Sequence, residues 1–137
     1  MAYWLLKSEP ASWSWDDQVK AGEKGTFWNG VRNHSAKLNL MAMQIGDQAF
    51  FYHSNEGKAI VGIVEIIKSF YPDPTDPTGK FCMVDVRAVT PFKQPVTLEA
   101  IKADPRLKDM VLVNNSRLSV QPVAAQEWKI ICAEGGV

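Results

Sequence analysis

Two strand-like runs, residues 59–71 and 80–89, flank Tyr71-Pro72-Asp73-Pro74-Thr75-Asp76-Pro77-Thr78-Gly79, and this arrangement constrains the fold more than any other part of the chain. Residues 48–53 and 59–71 are rich in aromatic and β-branched side chains, and Asn55-Glu56-Gly57 between them supplies hairpin turn chemistry. In residues 80–89 the alternation predicts Cys82, Val84, Val86 and Ala88 on a core face, with Met83, Asp85 and Arg87 facing out. Three consecutive antiparallel strands follow. The intervening prolines lack a ladder donor, so they rule out regular pairing and predict a stiff, exposed loop, too short to mark a domain boundary.

The flanking segments complete the pattern. Residues 3–7 predict a first strand, stopped by Ser8-Glu9-Pro10 because proline also restricts the residue before it. Ser14 followed by Asp17 has the spacing of a capped helix start and predicts a short helix to about residue 21, ended by Gly22 and Gly25. Ala36, Leu40 and Met43 recur at helical spacing, with Leu38 and Met41 adjoining, and predict a helix over 33–43 before Gly46-Asp47 turns the chain. Residues 97–102 and 124–133 predict two more helices, the second closed by Gly135-Gly136, with a last short strand at 117–120 between them. This order predicts an α+β domain: a strongly curved mixed or antiparallel sheet, closing as a small barrel, with short helices packed around it. A length of 137 residues and a hydrophobic fraction of 46% fit a single domain over residues 1–137.

Lys plus Arg and Asp plus Glu both number 15, a formal net charge of zero. The chain therefore lacks the basic excess that drives sequence-blind binding to duplex phosphates, and a nucleic-acid role requires a local site. The opening residues have no basic lead-in and match neither a signal peptide nor a membrane anchor, and the apolar run 59–67 is broken by Gly62 and Glu65. Cys82 and Cys132 belong to no metal or redox motif. A soluble protein of the reducing cytoplasm is expected.

Catalysis has one obvious candidate in the pairs His34-Ser35 and His53-Ser54. Neighbouring side chains diverge, however, and neither a GxSxG elbow nor an orienting acid accompanies them, so His53 reads as a strand end and His34 as a helix cap. The two histidines and two cysteines show no metal-ligand spacing, and Gly22-Glu23-Lys24-Gly25 matches no phosphate cradle, so neither a metal nor a cofactor is expected.

Phe27-Trp28-Asn29-Gly30-Val31-Arg32-Asn33 carries different chemistry. A planar heteroaromatic ligand needs a ring to stack on, donors and acceptors for its edge, and a cation where it bears phosphate. Trp28, the backbone around Gly30 with Asn29 or Asn33, and Arg32 supply these in turn. The same residues also fit a core tryptophan and a helix start. Lys7-Ser8-Glu9, Ser54-Asn55 and Arg117 with Ser119 all lie where strands end, and together they could form one polar rim. An enzyme acting on a small molecule or nucleotide, and an interaction module presenting the proline loop, remain alternatives.

Several blocks in order identify a family: Tyr3-Trp4-Leu5-Leu6-Lys7-Ser8-Glu9-Pro10, Trp28-Asn29-Gly30-Val31-Arg32-Asn33, Gly46-Asp47 with Phe51-Tyr52-His53-Ser54-Asn55, Ile60-Val61-Gly62-Ile63-Val64-Glu65, Tyr71-Pro72-Asp73-Pro74 and Arg117-Leu118-Ser119-Val120-Gln121-Pro122. Together they resemble the EVE domain family, a branch of the PUA-like superfamily related to YTH domains. The resemblance implies a pseudo-barrel and a monomeric, non-catalytic reader of a modified base of nucleic acid, foremost a DNA cytosine derivative, with modified RNA as the alternative. It implies that Lys7, Ser8 and Glu9 form one wall of a pocket and Trp28 another, with edge hydrogen bonds from Asn29, Gly30, Val31, Arg32 and Asn33. Ser54, Asn55, Arg117 and Ser119 would lie on the rim, and Phe81, with Tyr71 as competitor, would be the second cage aromatic. Asn29 stands where the family usually has an acid, which bears on the base edge preferred.

Overall fold

The ends of β1 (Tyr3–Ser8) and β3 (Gln48–His53) set the frame, because these two strands pair in parallel and every other neighbouring pair is antiparallel. The computed structural model describes residues 1–137. A parallel pair needs a crossover, and here it contains α1 (Trp15–Lys20), β2 (Thr26–Trp28) and α2 (His34–Ala42). After β3 come β4 (Ala59–Pro72), β5 (Cys82–Thr97), α3 (Leu98–Ala103), α4 (Val111–Asn114), β6 (Val120–Val123) and α5 (Ala125–Gly135). The sheet order is β2-β5-β4-β3-β1-β6.

Helix α2 packs against the neighbouring β4 and β5 and also against β6 at the far edge, so the sheet coils around it. Its Ala36 and Leu40, with Met43 beyond it, join Trp4, Leu6, Phe51, Val84 and Val120 in one core, and Asn39 Nδ2 donates to the Val120 carbonyl at 2.7 Å. The terminal strands β2 and β6 do not pair with each other. The sheet is thus curved and mixed but open, and strand pairing does not complete the expected barrel.

Side chains alternate across a strand, so Leu5, Phe50 and Ile63 face the opposite side and form a second core with Ile101, Leu112, Trp128 and Ile131 from the later helices. Phe50 stacks on Trp128 with ring centroids 3.9 Å apart. With both faces covered, β1 and β3 can be apolar along nearly their whole length.

Local signals chose most helix ends. Ser14 and Asp17 form the expected reciprocal cap of α1, Thr97 caps α3, and Gly136 closes α5 in the left-handed conformation at φ 78°. Asn33, not His34, caps α2, its Oδ1 accepting from Ala36 N at 2.9 Å. The short elements β2 and α4 hold too few residues for a periodic signal, and the sequence does not announce them. β6 lies at Val120–Val123 and not at 117–120, because it pairs with β1 up to Tyr3 opposite Val123; as an edge strand it tolerates Pro122.

Strand β5 extends well past residue 89, through Pro91 and Pro95. Register shifts opposite Ile60–Gly62 absorb the break, and Gly62 faces Pro91. A Cβ on Gly62 would sit 2.5 Å from Trp15 Cη2, so glycine lets the indole lie on the strand. Met83, expected to face out, is buried beside Cys82 and Val84, where shifts opposite residues 66–71 break strict alternation.

The proline loop also departs from expectation. Pairing continues to Tyr71 with Met83 and Pro72 with Cys82, and the acids that follow turn inward: Asp73 is 2% exposed and Asp76 8%. Asp76 accepts hydrogen bonds from the backbone of Thr78, Lys80 and Phe81. Buried carboxylates, as well as prolines, make this loop rigid. No helix is long and apolar enough to cross a membrane.

Candidate functional site

Where β1 ends, the chain turns back so that Ser12 N and Trp13 N both donate to the Glu9 carbonyl, while Ser8 Oγ donates to the Trp13 carbonyl. This turn faces β2, which is held to β5 by the Trp28–Val84 pairing. Between them opens a cavity of about 560 Å³. Lys7, Ser8, Glu9, Ser12 and Trp13 line one side, and Thr26, Phe27, Trp28, Asn29 and Gly30 the other.

Trp28 is both core and wall. It is only 8% exposed and packs edge-on against Phe51, with centroids 5.5 Å apart at 90°, yet it borders the cavity. Trp13 is fixed from behind: its Nε1 donates to Gln18 Oε1 at 2.9 Å, and the fully buried Gln18 donates through Nε2 to the Val86 carbonyl at 3.3 Å. Phe27, 53% exposed, adds a third ring at the mouth. Replacing Gln18 by leucine is expected to release the Trp13 indole, read as faster exchange of its Nε1 hydrogen by NMR, and to cost about 1–3 kcal/mol in urea unfolding by removing buried hydrogen bonds.

Gly30 brings backbone to the cavity at φ 79°, a left-handed conformation suited to glycine. Its N–H donates to Asp73 Oδ2 at 2.9 Å, and the same oxygen accepts from Arg32 Nη1 at 3.1 Å. Thr75 donates its backbone N–H to the other oxygen of Asp73, and its hydroxyl accepts from Arg32 Nη2 at 2.9 Å. Burial alone would raise the Asp73 carboxyl, but hydrogen bonds from Thr75, Gly30 and Arg32 outweigh it and hold the group at about 2. An ionised strut from the proline loop thereby supports the cavity floor.

Of the residues expected to share a site, Lys7, Ser8, Glu9, Trp28, Asn29 and Gly30 line this cavity. Val31 is buried in the core and Asn33 caps α2. Arg32 turns to Asp73, and its guanidinium lies 5.7 Å from the Phe81 ring centroid, so neither of these residues lines the cavity. Tyr71 donates to Asp85 and carries Lys68 Nζ 4.0 Å from its ring centroid. Ser54 and Asn55 line a smaller neighbouring cavity of about 240 Å³ that shares Lys7. Arg117 is exposed, and Ser119 contributes its carbonyl to Lys7 N at 3.0 Å. Sequence reasoning does not find Ser12, Trp13 and Thr26, and it gives Phe27 no role of its own within the aromatic-amide segment. The available signal is the helix start at Ser14, which places Trp13 just before a cap and within reach of the end of β1.

His53 has a structural role. His53 Nε2 accepts from Trp15 N at 3.1 Å, and burial lowers its pKa against the pull of Asp16, which keeps the ring a neutral acceptor. The nitrogen that a general base would use thus anchors α1 to the end of β3. No group of three or more His, Cys, Asp or Glu is placed to hold a metal ion.

The EVE domain family model matches residues 2–134. The chain belongs to the EVE domain family. This EVE domain is 40% identical to chicken thymocyte nuclear protein 1 over 94% of its own length, and it spans 66% of the chicken protein, just under two thirds. An NMR structure of a Rhodopseudomonas palustris protein, 65% identical, superposes with a TM-score of 0.94, covering 99% of this chain and 94% of that one. The crystal structure of human THYN1 protein in complex with 5-methylcytosine-containing DNA, 33% identical, also gives 0.94, covering 100% and 99%. A YTH domain from Zygosaccharomyces rouxii, at 20% identity and a TM-score of 0.60, shares the fold; it covers 98% of this chain and 86% of that one.

Proposed function

We propose that this EVE domain is a non-catalytic reader that takes one modified base of nucleic acid, foremost a DNA cytosine derivative, into the cavity beside Trp28. The observation that carries the reading is the cavity itself, lined by the Trp13 and Trp28 rings together with the polar groups of Ser8, Asn29 and Gly30. Its volume of about 560 Å³ falls within the range of small-ligand sites and accommodates a flipped base. The fold likeness to a human protein in complex with 5-methylcytosine DNA supports the choice of ligand.

Stacking on an aromatic platform contributes roughly 1–3 kcal/mol per base, which offsets part of the cost of unstacking it. Asn29 offers both a donor and an acceptor at the rim, where a carboxylate would only accept. In the same reading, the open sheet coiled around α2 serves as a PUA-like pseudo-barrel, and residues 1–137 act as one monomeric binding unit.

The test is an anisotropy titration of a DNA oligonucleotide bearing one 5-methylcytosine against its unmodified twin. The modified strand is expected to bind at least about tenfold more tightly, and the unmodified one weakly and in a salt-sensitive way, because few phosphates can be neutralised. Equal affinities, or nanomolar binding of unmodified duplex in moderate salt, would refute the reading. Tighter binding of a modified RNA oligonucleotide would reassign the substrate to RNA.

A further inference from the structure

The Trp28 cavity does not end at Lys7. Lys7 also lines the smaller cavity with Ser54, Asn55 and Lys58, and Asn55, Lys58 and Leu98 in turn line a third cavity of about 580 Å³ that reaches Lys102. The three hollows therefore adjoin one another in a row, a trough along a single rim of the sheet that crosses the ends of β1, β3, β4 and β5.

That rim is firmly built. Ser54 N donates to the Ser8 carbonyl at 2.9 Å, Leu98 N donates to the Lys58 carbonyl at 2.9 Å, and Ala59 pairs with Thr97. Lys7 Nζ is held against the Ser116 carbonyl at 2.6 Å. Lys58 and Lys102 are exposed and belong to no ion pair, since every ion pair in the molecule is made by Arg32, Arg87 or Arg106. Glu99 is the one carboxylate lining the two outer hollows, against the cations Lys7, Lys58 and Lys102. In a chain of zero net charge, three cations against one carboxylate in the two outer hollows make a local cationic stretch, suited to an anion path. Burial lowers the pKa of Lys7, and a phosphate beside it would favour its charged form.

We infer that this trough carries the sugar–phosphate backbone on one side of the bound base, with Lys7, Lys58 and Lys102 facing phosphates spaced along it. The inference rests on the base-reader function proposed above. The spacing fits: β1 and β4 lie two strand steps apart, on the order of 10 Å, about the length of three stacked nucleotides. Ser54, Asn55 and Ser116 line the same stretch with neutral hydrogen-bonding groups suited to phosphate and sugar oxygens.

The experiment compares the parent protein with Lys58→Ala/Lys102→Ala, and with Lys129→Ala on α5 as control, in anisotropy titrations across a salt series. The probes are the DNA oligonucleotide with one 5-methylcytosine and its unmodified twin, and unchanged thermal midpoints confirm folding. The double variant is expected to bind both probes about tenfold more weakly at low salt. Its log–log salt slope should be shallower by about 1.4–1.8, or 0.7–0.9 for each phosphate no longer neutralised. The preference for the modified probe should persist, and Lys129→Ala should match the parent. An unchanged slope in the double variant, or an equal weakening in Lys129→Ala, overturns the trough. A reduced slope in the double variant, when the parent shows no preference for the modified probe, supports the trough and rejects the base reading. A parent that binds neither probe at low salt rejects both.

Discussion

Trp28→Ala is expected to abolish the preference for a 5-methylcytosine oligonucleotide and to destabilise the fold at the same time. The indole is 8% exposed and packs edge-on against Phe51, so its removal leaves a hole in the core as well as a missing cavity wall. Large-to-small changes of this kind cost about 3–5 kcal/mol. The alanine variant therefore confounds recognition with folding, and Trp28→Phe separates them. A phenyl ring keeps the Phe51 packing and most of the volume but presents a smaller stacking surface. Its unfolding midpoint in urea should fall only modestly, while affinity for the modified probe should drop about tenfold, in line with stacking worth about 1–3 kcal/mol per base. Full retention of affinity in Trp28→Phe and Trp28→Ala alike would remove Trp28 from the site.

Asp73→Ala should produce the second large effect, although Asp73 lies outside the cavity. It leaves the Gly30 N–H and the Arg32 guanidinium without their carboxylate. Breaking a fully buried ion pair costs about 3–5 kcal/mol; with the Arg32 side chain 40% exposed, about 2–3 kcal/mol is expected here. Without the strut Gly30 also loosens, so affinity for the modified probe should fall even when the variant is measured well below its melting point.

The same carboxylate makes a pH prediction. The folded protein holds Asp73 at about 2, against about 3.9 for an unfolded aspartate. Between those values the unfolded chain binds more protons, so stability rises with pH across that window. The contribution is complete above about pH 4 and is lost as pH falls toward about 2. Urea unfolding of Asp73→Asn from about pH 5 to about pH 2 should show a shallower decline than the parent. It should not be flat, because Asp76 and Asp104 are also held at about 2.

Features that depend on neighbours in the chain are legible in the sequence. The Ser14–Asp17 cap, the strand ends at His53 and Ala59, and the Gly136 stop are each set by a few adjacent residues, and they appear where their chemistry places them. The family blocks likewise locate six of the ten residues lining the cavity, since Lys7 to Glu9 and Trp28 to Gly30 are short continuous segments. The sequence pattern stops β5 too early because proline is a poor strand residue, and only the partner strand shows that register shifts near Gly62 absorb Pro91.

What escapes the sequence depends on partners distant along the chain. Arg32 stands within the motif beside Trp28, but its guanidinium goes to Asp73, 41 residues away, because a buried carboxylate demands a charged or hydrogen-bonding partner. Trp13 becomes a cavity wall because Gln18, itself tied to Val86 68 residues away, holds the indole in place. The sequence alone determined the order of most elements, their caps and the aromatic-amide segment, all consequences of local conformational preference and side-chain period. Tertiary structure decided which rings line the cavity, where the cations point and why the proline loop is rigid, because those outcomes follow from satisfying buried polar groups that only the folded chain brings together.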